Sequence, residues 1–111
     1  NKIERVVIDS ISDISITIAD PVNLKNYLLS LVTQLSGLGV TLLLSSEMPE
    51  ERFGVTTTQL SVVIDAIITL RYKEANDMIK RVISVIKMRG SNHDKKIREY
   101  EITNDGLVIK E

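Results

Sequence analysis

The stretch Val85-Ile86-Lys87-Met88-Arg89-Gly90-Ser91-Asn92-His93 gathers the residue types that recognise phosphate groups. An apolar strand is predicted to run into it. Side chains alternate between faces along a strand, so Lys87 and Arg89 are expected to leave by the same face. Spaced by one residue, their cations would stand roughly 7 Å apart. Gly90 then lets the chain turn sharply, and Ser91, Asn92 and His93 add hydrogen-bonding groups beyond the turn. A point charge, a planar guanidinium and neutral donors suit a polyphosphate better than a single carboxylate. Strand ends also carry Lys and Arg simply to be solvated or to discourage edge pairing. Spacing alone leaves both roles open.

Composition narrows the choice. A chain of 111 residues suits one domain and not two. A hydrophobic share of 43% excludes disorder as a whole-chain state. No apolar run approaches the roughly 18 residues a membrane span needs. The charged start Asn1-Lys2-Ile3-Glu4-Arg5 does not read as a signal peptide. Without cysteine there is no disulfide framework and no thiolate metal site, and a cytoplasmic setting is expected. One histidine cannot build a zinc site without carboxylate help. The net charge of −1 gives no global pull toward nucleic acid or anionic lipid. Yet Lys87, Arg89, Lys95, Lys96 and Arg98 fall in one short segment, against Asp94 and Glu99, so a local basic patch is expected.

The elements that must position this segment can be read in order. Arg5-Val6-Val7-Ile8-Asp9-Ser10 is a short β-branched run ending in an acid, as in a parallel strand buried on both faces. The carboxyl end of such a strand is where open α/β sheets place ligands, although Asp-Ser also begins many ordinary loops. Ile11 to Ala19 shows no clear period and is expected to be an exposed loop. Asp20-Pro21 announces a helix, with Asp as N-cap and Pro in the first turn. Leu24, Leu28, Leu31, Leu35 and Leu38 form one apolar stripe, and Gly37 and Gly39 supply the stop. The opposite face, with Asn23, Asn26, Ser30, Thr33 and Gln34, is polar but uncharged, which fits either a neutral surface or contact with another chain.

Val40 to Glu47 is a second predicted buried strand, again ending in small polar residues and an acid. Met48 to Thr58 reads as a loop, followed by a brief helical turn around Gln59-Leu60-Ser61. Ile64–Tyr72 and Lys80–Arg89 are expected to pair across a polar loop, Lys73 to Asp77. On them Ala66, Ile68, Leu70 and Tyr72 should share one face, and Val82, Ser84, Ile86 and Met88 one face of the partner. Arg98–Thr103 and Leu107–Lys110 should form a last hairpin across Asn104-Asp105-Gly106. The expected fold class is therefore α/β, a parallel β-α-β unit followed by antiparallel hairpins. One helix cannot cover both faces of a parallel sheet. Either the chain is half of a domain or another chain supplies the missing layer.

With Asp9, Glu47 and Lys87–His93 in hand, the chain resembles the C-terminal half of a RecA-superfamily ATPase of the KaiC-like branch. The resemblance rests on Val6-Val7-Ile8-Asp9-Ser10, on Leu42-Leu43-Leu44-Ser45-Ser46-Glu47, on Lys87-Met88-Arg89-Gly90-Ser91-Asn92-His93, and on Tyr100-Glu101-Ile102-Thr103-Asn104-Asp105-Gly106-Leu107. It implies a partial RecA-like three-layer fold with residues 1–111 as the C-terminal half of one ATPase domain. It further implies ATP and Mg²⁺ as cofactors, and self-association into a ring or filament. Asp9 matches the Walker B acid that holds Mg²⁺. Ser46 and Glu47 match the sensor of the γ-phosphate. Lys87 and Arg89 match cations that reach the neighbouring subunit's nucleotide. Met88, Ser91 and His93 match further nucleotide contacts. Thr103 and Asn104 match positions near the base, at a place where this chain carries one extra residue.

The departures matter equally. A phosphate-binding loop needs two glycines separated by four residues, then Lys and Ser or Thr. No two of Gly37, Gly39, Gly54, Gly90 and Gly106 have that separation. The family's catalytic glutamates before the Walker B strand are missing too. The phosphate-cradling half is thus expected upstream of Asn1, and this stretch alone is expected to hydrolyse ATP negligibly. A RecA/RadA-type recombinase fragment is the second reading. The loop Met48–Thr58 argues against it, since Arg52 and Phe53 are its only cation and aromatic, and strand binding wants several of each. A non-catalytic interaction module is the third. No nucleophile elbow and no spaced carboxylate pair supports hydrolytic chemistry of other kinds.

Overall fold

A computed structural model describes residues 2–47 and 63–111, and the predicted loop and helical turn between Met48 and Ser61 lie outside the described residues. The elements in chain order are β1 (Arg5–Ile8), α1 (Ser12–Thr17), α2 (Pro21–Gly37), β2 (Thr41–Leu44), β3 (Ala66–Ala75), β4 (Met78–Met88), β5 (Arg98–Thr103) and β6 (Gly106–Ile109). They fall into two compact units, residues 1–64 and 65–111.

In the first unit β1 and β2 pair in parallel, from Arg5 opposite Thr41 to Ile8 opposite Leu44. The connecting helix α2 begins where the sequence signals it. Asp20 Oδ1 accepts from the Val22 and Asn23 amides at 2.8 and 3.3 Å, and Pro21 opens the first turn, where its missing N–H costs nothing. Gly37 is the last helical residue and Leu38 the C-cap. The buried stripe differs by one member from the expected one. Leu28 and Val32 are buried, whereas Leu38 is largely exposed because it lies past the last turn.

Ile11 to Ala19 is not the exposed loop that the sequence predicts. It contains α1, and Ile11 is only 8% exposed. Ile11 and Leu28 form a small core against which Ile8, Ile14, Leu24, Leu44 and Ile64 pack. Burial of Ile11 and Ile14 in that core outweighs the weak helix preference of β-branched residues. The second strand also stops earlier than expected. β2 ends at Leu44, and Ser45 to Glu47 already belong to the loop beyond it.

The second unit is a four-stranded antiparallel sheet in the order β3-β4-β5-β6. Its first hairpin is tighter than predicted. The strands run on to Ala75 and from Met78, and only Asn76 and Asp77 turn, at φ of +52° and +58°. Both central residues at positive φ match the right-handed twist of the flanking strands. Asn and Asp tolerate that conformation, so no glycine was needed to announce it. The second hairpin pairs the expected strands, with Gly106 already the first residue of β6, opposite Thr103, so that only Asn104 and Asp105 turn.

A bulge changes which side chains share a face. Ile68 lies opposite Val85 but Ile67 opposite Lys87, so Ile86 is the extra residue. The predicted row Val82, Ser84, Ile86 and Met88 is therefore broken. Val82 and Ser84 are buried on the face that carries Thr69, whose Oγ1 lies 2.7 Å from Ser84 Oγ. Met88 lies opposite Ala66, on the face of Ile68, Leu70 and Tyr72. Across the Thr69 face runs a charge ladder. Glu99 accepts from Lys80 at 3.1 Å and from Lys110 at 3.3 Å, and Lys110 also meets Glu101 at 2.6 Å.

Candidate functional site

The sequence-predicted residues fall into two groups, one in each unit. In the first, Asp9 follows the last residue of β1 and Ser45 the last residue of β2. The parallel register sets them side by side at the carboxyl ends of the two strands, where strand-end ligands are bound in open α/β sheets. Ser45 Oγ donates to Asp9 Oδ1 at 2.5 Å. The backbone repeats the link, with the Ser45 amide donating to the Ile8 carbonyl at 3.1 Å and the Ile11 amide to the Ser45 carbonyl at 2.9 Å. Ser12 ties in the rest of the loop, because its Oγ accepts from the Glu47 amide at 3.0 Å. Ser10 Oγ accepts in turn from the Ser12 amide at 3.2 Å.

Asp9, Ser46 and Glu47 are exposed. The arrangement is thus a solvent-facing carboxylate held in place by the Ser45 hydroxyl. It can bind a hard cation through oxygen. The sequence reading missed Ser12 and Ser45. The available signal was the recurrence of serine at both strand ends, at 10, 12, 45 and 46.

In the second unit Lys87 is half-buried near the end of β4. The bulge at Ile86 puts it opposite Ile67, on the face of Ser84 and Val82, where strict alternation would have sent it to the other side. β4 ends at Met88, so the alternation expected to set Lys87 and Arg89 on one face stops one residue short. Arg89 is instead fixed by Asp65. Its amide donates to the Asp65 carbonyl at 2.7 Å and its Nη1 to Asp65 Oδ1 at 2.8 Å. Gly90 follows at φ +72°, and the Ser91 amide reaches back to the Met88 carbonyl at 3.4 Å. His93 is half-buried, and its buried Nδ1 has no hydrogen-bond partner among the described residues.

The expected basic patch is partly neutralised. Arg89 pairs with Asp65 and Arg98 with Asp94, while Lys95 and Lys96 are exposed. The Lys96 amide on Oδ1, and then the Arg98 guanidinium on Oδ2, hold the Asp94 carboxyl below its ordinary value. Thr103 and Asn104 stand apart from this group. β5 pairs with β4 only through Arg98–Tyr100 against Ile83–Arg81. Lys87 lies beyond one end of that ladder and Thr103 beyond the other. The Thr103 hydroxyl is engaged in its own turn, donating to the Gly106 carbonyl at 3.1 Å and accepting from the Asp105 amide at 3.2 Å.

A strand-end acid beside a serine-containing loop, and a Lys-x-Arg-Gly-Ser-x-His turn at the end of an antiparallel strand, can be compared with known proteins. A family model described as "ATPase: KaiC" matches residues 1–111. The chain belongs to the KaiC ATPase family. The circadian clock protein KaiC3 of Synechocystis is 34% identical over 110 residues, covering 97% of this chain and 22% of that protein. The UPF0273 protein of Thermotoga maritima is 36% identical over 106 residues, 96% of this chain and 43% of that protein. The crystal structure of a KaiC-like protein from Pyrococcus horikoshii superposes with a TM-score of 0.79 at 32% identity, over 97% of this chain and 47% of that one. The KaiC-like chain therefore spans less than half the length of these relatives. Its mixed α/β architecture, a parallel pair and then antiparallel hairpins, is the fold class expected from the sequence.

Proposed function

We propose that residues 1–111 are the C-terminal half of an ATP-hydrolysing KaiC-like domain, supplying the metal acid to one nucleotide and trans-acting cations to the next. The observation that carries the reading is the position of Asp9, side by side with Ser45 at the carboxyl ends of a parallel pair and held by its hydroxyl, in a chain that matches the KaiC ATPase model throughout. Mg²⁺ bound with a nucleotide uses one or two carboxylates and completes its shell with phosphate and water. A single exposed carboxylate suits that ion. Among the described residues no group of three or more His, Cys, Asp or Glu could form an all-protein cage instead.

In this reading Asp9 orients the Mg²⁺ shell, and Ser46 and Glu47 sense the γ-phosphate. The loop that carries them is tied to α1 through Ser12, so a shift at residue 47 is felt at residue 12. Lys87 and Arg89 face the neighbouring protomer's nucleotide, with Met88, Ser91 and His93 beside them. Thr103 and Asn104, toward the other end of the ladder, take the base end of an extended molecule. The bound Mg²⁺ supplies charge neutralisation on the phosphates; the protein's share is position. Charge built up during phosphoryl transfer is stabilised by a trans cation, worth on the order of 10³–10⁵ in rate. At about 4 Å such a pair gains ~1 kcal/mol in water but ~4 where water is partly excluded. Closure by a neighbour is thus part of the chemistry. The chain alone hydrolyses ATP negligibly.

Mixing subunits tests this. In the full-length protein Asp9→Ala and Arg89→Ala should each lower steady-state ATPase activity by a factor of about 10³ or more, leaving a small residual rate. Co-assembled in equal amounts, they should recover about a quarter of wild-type turnover, because half the sites keep Asp9 and half of those meet an intact Arg89. Mixed assemblies with no recovered activity would refute the trans assignment.

A further inference from the structure

Arg89 and Asp65 stand on either side of the open end of the β3–β4 ladder. Ala66 opposite Met88 is the last pair of the register, Asp65 precedes Ala66, and Arg89 follows Met88. The two are joined twice, through the Arg89 amide on the Asp65 carbonyl at 2.7 Å and through Nη1 on Oδ1 at 2.8 Å. Gly90 then turns the chain away at φ +72°, so Arg89 is the last residue before the turn that hydrogen bonding across the β3–β4 end holds. Its side chain is 50% exposed and that of Asp65 77%. A solvated ion pair of this kind adds little to stability and weakens with salt. Its effect is on conformation. A long side chain that could sweep through many rotamers is restricted by a partner rooted in the neighbouring strand.

We propose that Asp65 is a positioning residue for Arg89, its carboxylate setting the guanidinium in the pose from which it meets a phosphate across a subunit boundary. The inference rests on the reading that Arg89 acts on a neighbour's nucleotide. The guanidinium carries five donors in a rigid fork, so it can serve a carboxylate and a phosphate at once. A fixed pose spares the reaction the ordering of that side chain at the moment of transfer. It should therefore appear in kcat and not in KM for ATP.

The test is a double-mutant cycle in the assembled full-length protein. Asp65→Ala should lower kcat about tenfold, well short of the loss at Arg89→Ala, and leave KM for ATP unchanged. Asp65→Asn, which keeps an oxygen acceptor in place, should recover part of the loss. In the Arg89→Ala background Asp65→Ala should change nothing further. A crystal structure of nucleotide-free Asp65→Ala should show the Arg89 side chain in a new or disordered pose. Equal kcat losses in both backgrounds, or Arg89 unmoved in that structure, would overturn the inference. Should Asp65→Ala not fold, Asp65→Asn carries both measurements. An Arg89→Ala protein with full activity would sink the underlying functional reading, whereas an impaired Arg89→Ala beside an unimpaired Asp65→Ala would sink only the positioning role.

Discussion

Two glycines of this chain should respond to the same substitution with opposite signs. Gly90 sits at φ +72° and a Cβ added there meets nothing within 4 Å, so the cost of Gly90→Ala is purely conformational. The left-handed region costs an L-residue roughly 1–2 kcal/mol. Against this, loss of freedom in the unfolded chain stabilises by about 0.4–1 kcal/mol. The net should be about 1 kcal/mol of destabilisation. Gly37 is the last helical residue of α2, and its added Cβ also meets nothing within 4 Å. Alanine is the better helix former by up to about 1 kcal/mol, so Gly37→Ala should stabilise. Gly90→Asn should lie between wild type and Gly90→Ala, because Asn visits the left-handed region more readily. Urea denaturation of the full-length protein provides the assay. The midpoint should fall for Gly90→Ala and rise for Gly37→Ala at constant slope. ATPase activity should fall in Gly90→Ala alone, since that turn joins Arg89 to Ser91 and His93. A Gly90→Ala protein at least as stable as wild type would refute the reasoning.

Two further outcomes are expected. Asp20→Ala removes the acceptor for the Val22 and Asn23 amides and should cost about 1 kcal/mol in denaturant unfolding, with Asp20→Ser nearly neutral. Lys80 first, and Lys110 after it, hold the Glu99 carboxyl below its ordinary value. A carboxyl depressed in the folded state stabilises at pH values above its unfolded pKa, and that contribution is lost as pH falls through the folded value. Unfolding free energy should therefore decline below about pH 4.5, and less steeply in Glu99→Gln. Superimposable pH profiles for the two proteins would contradict the assignment. Lys110, raised by Glu101 and then Glu99, titrates at the opposite extreme and should not shape this acid limb.

Much of this architecture was legible because the signals are local. A β-branched run ending in Asp9, the Asp20-Pro21 cap with its leucine stripe, and Asn104-Asp105-Gly106 between alternating strands each specify their element through nearest-neighbour chemistry. The type and order of the residues from Lys87 to His93 likewise announced the chain turn at Gly90. What escaped was decided between elements. Ser12 to Thr17 is helical because the β1–β2 pair and α2 offer Ile11 and Ile14 a place to bury, a circumstance invisible in a window of nine residues. The bulge at Ile86 exists only as a mismatch between β3 and β4, yet it selects the face on which Lys87 stands. Ser45 beside Asp9, and Asp65 beside Arg89, are neighbours through register alone, 36 and 24 residues apart in the chain. The sequence by itself thus determined which residues carry charge and hydroxyls and which segments extend or coil. Their partners and faces were set by the tertiary structure, because strand pairing is a long-range choice that a single slipped residue reverses.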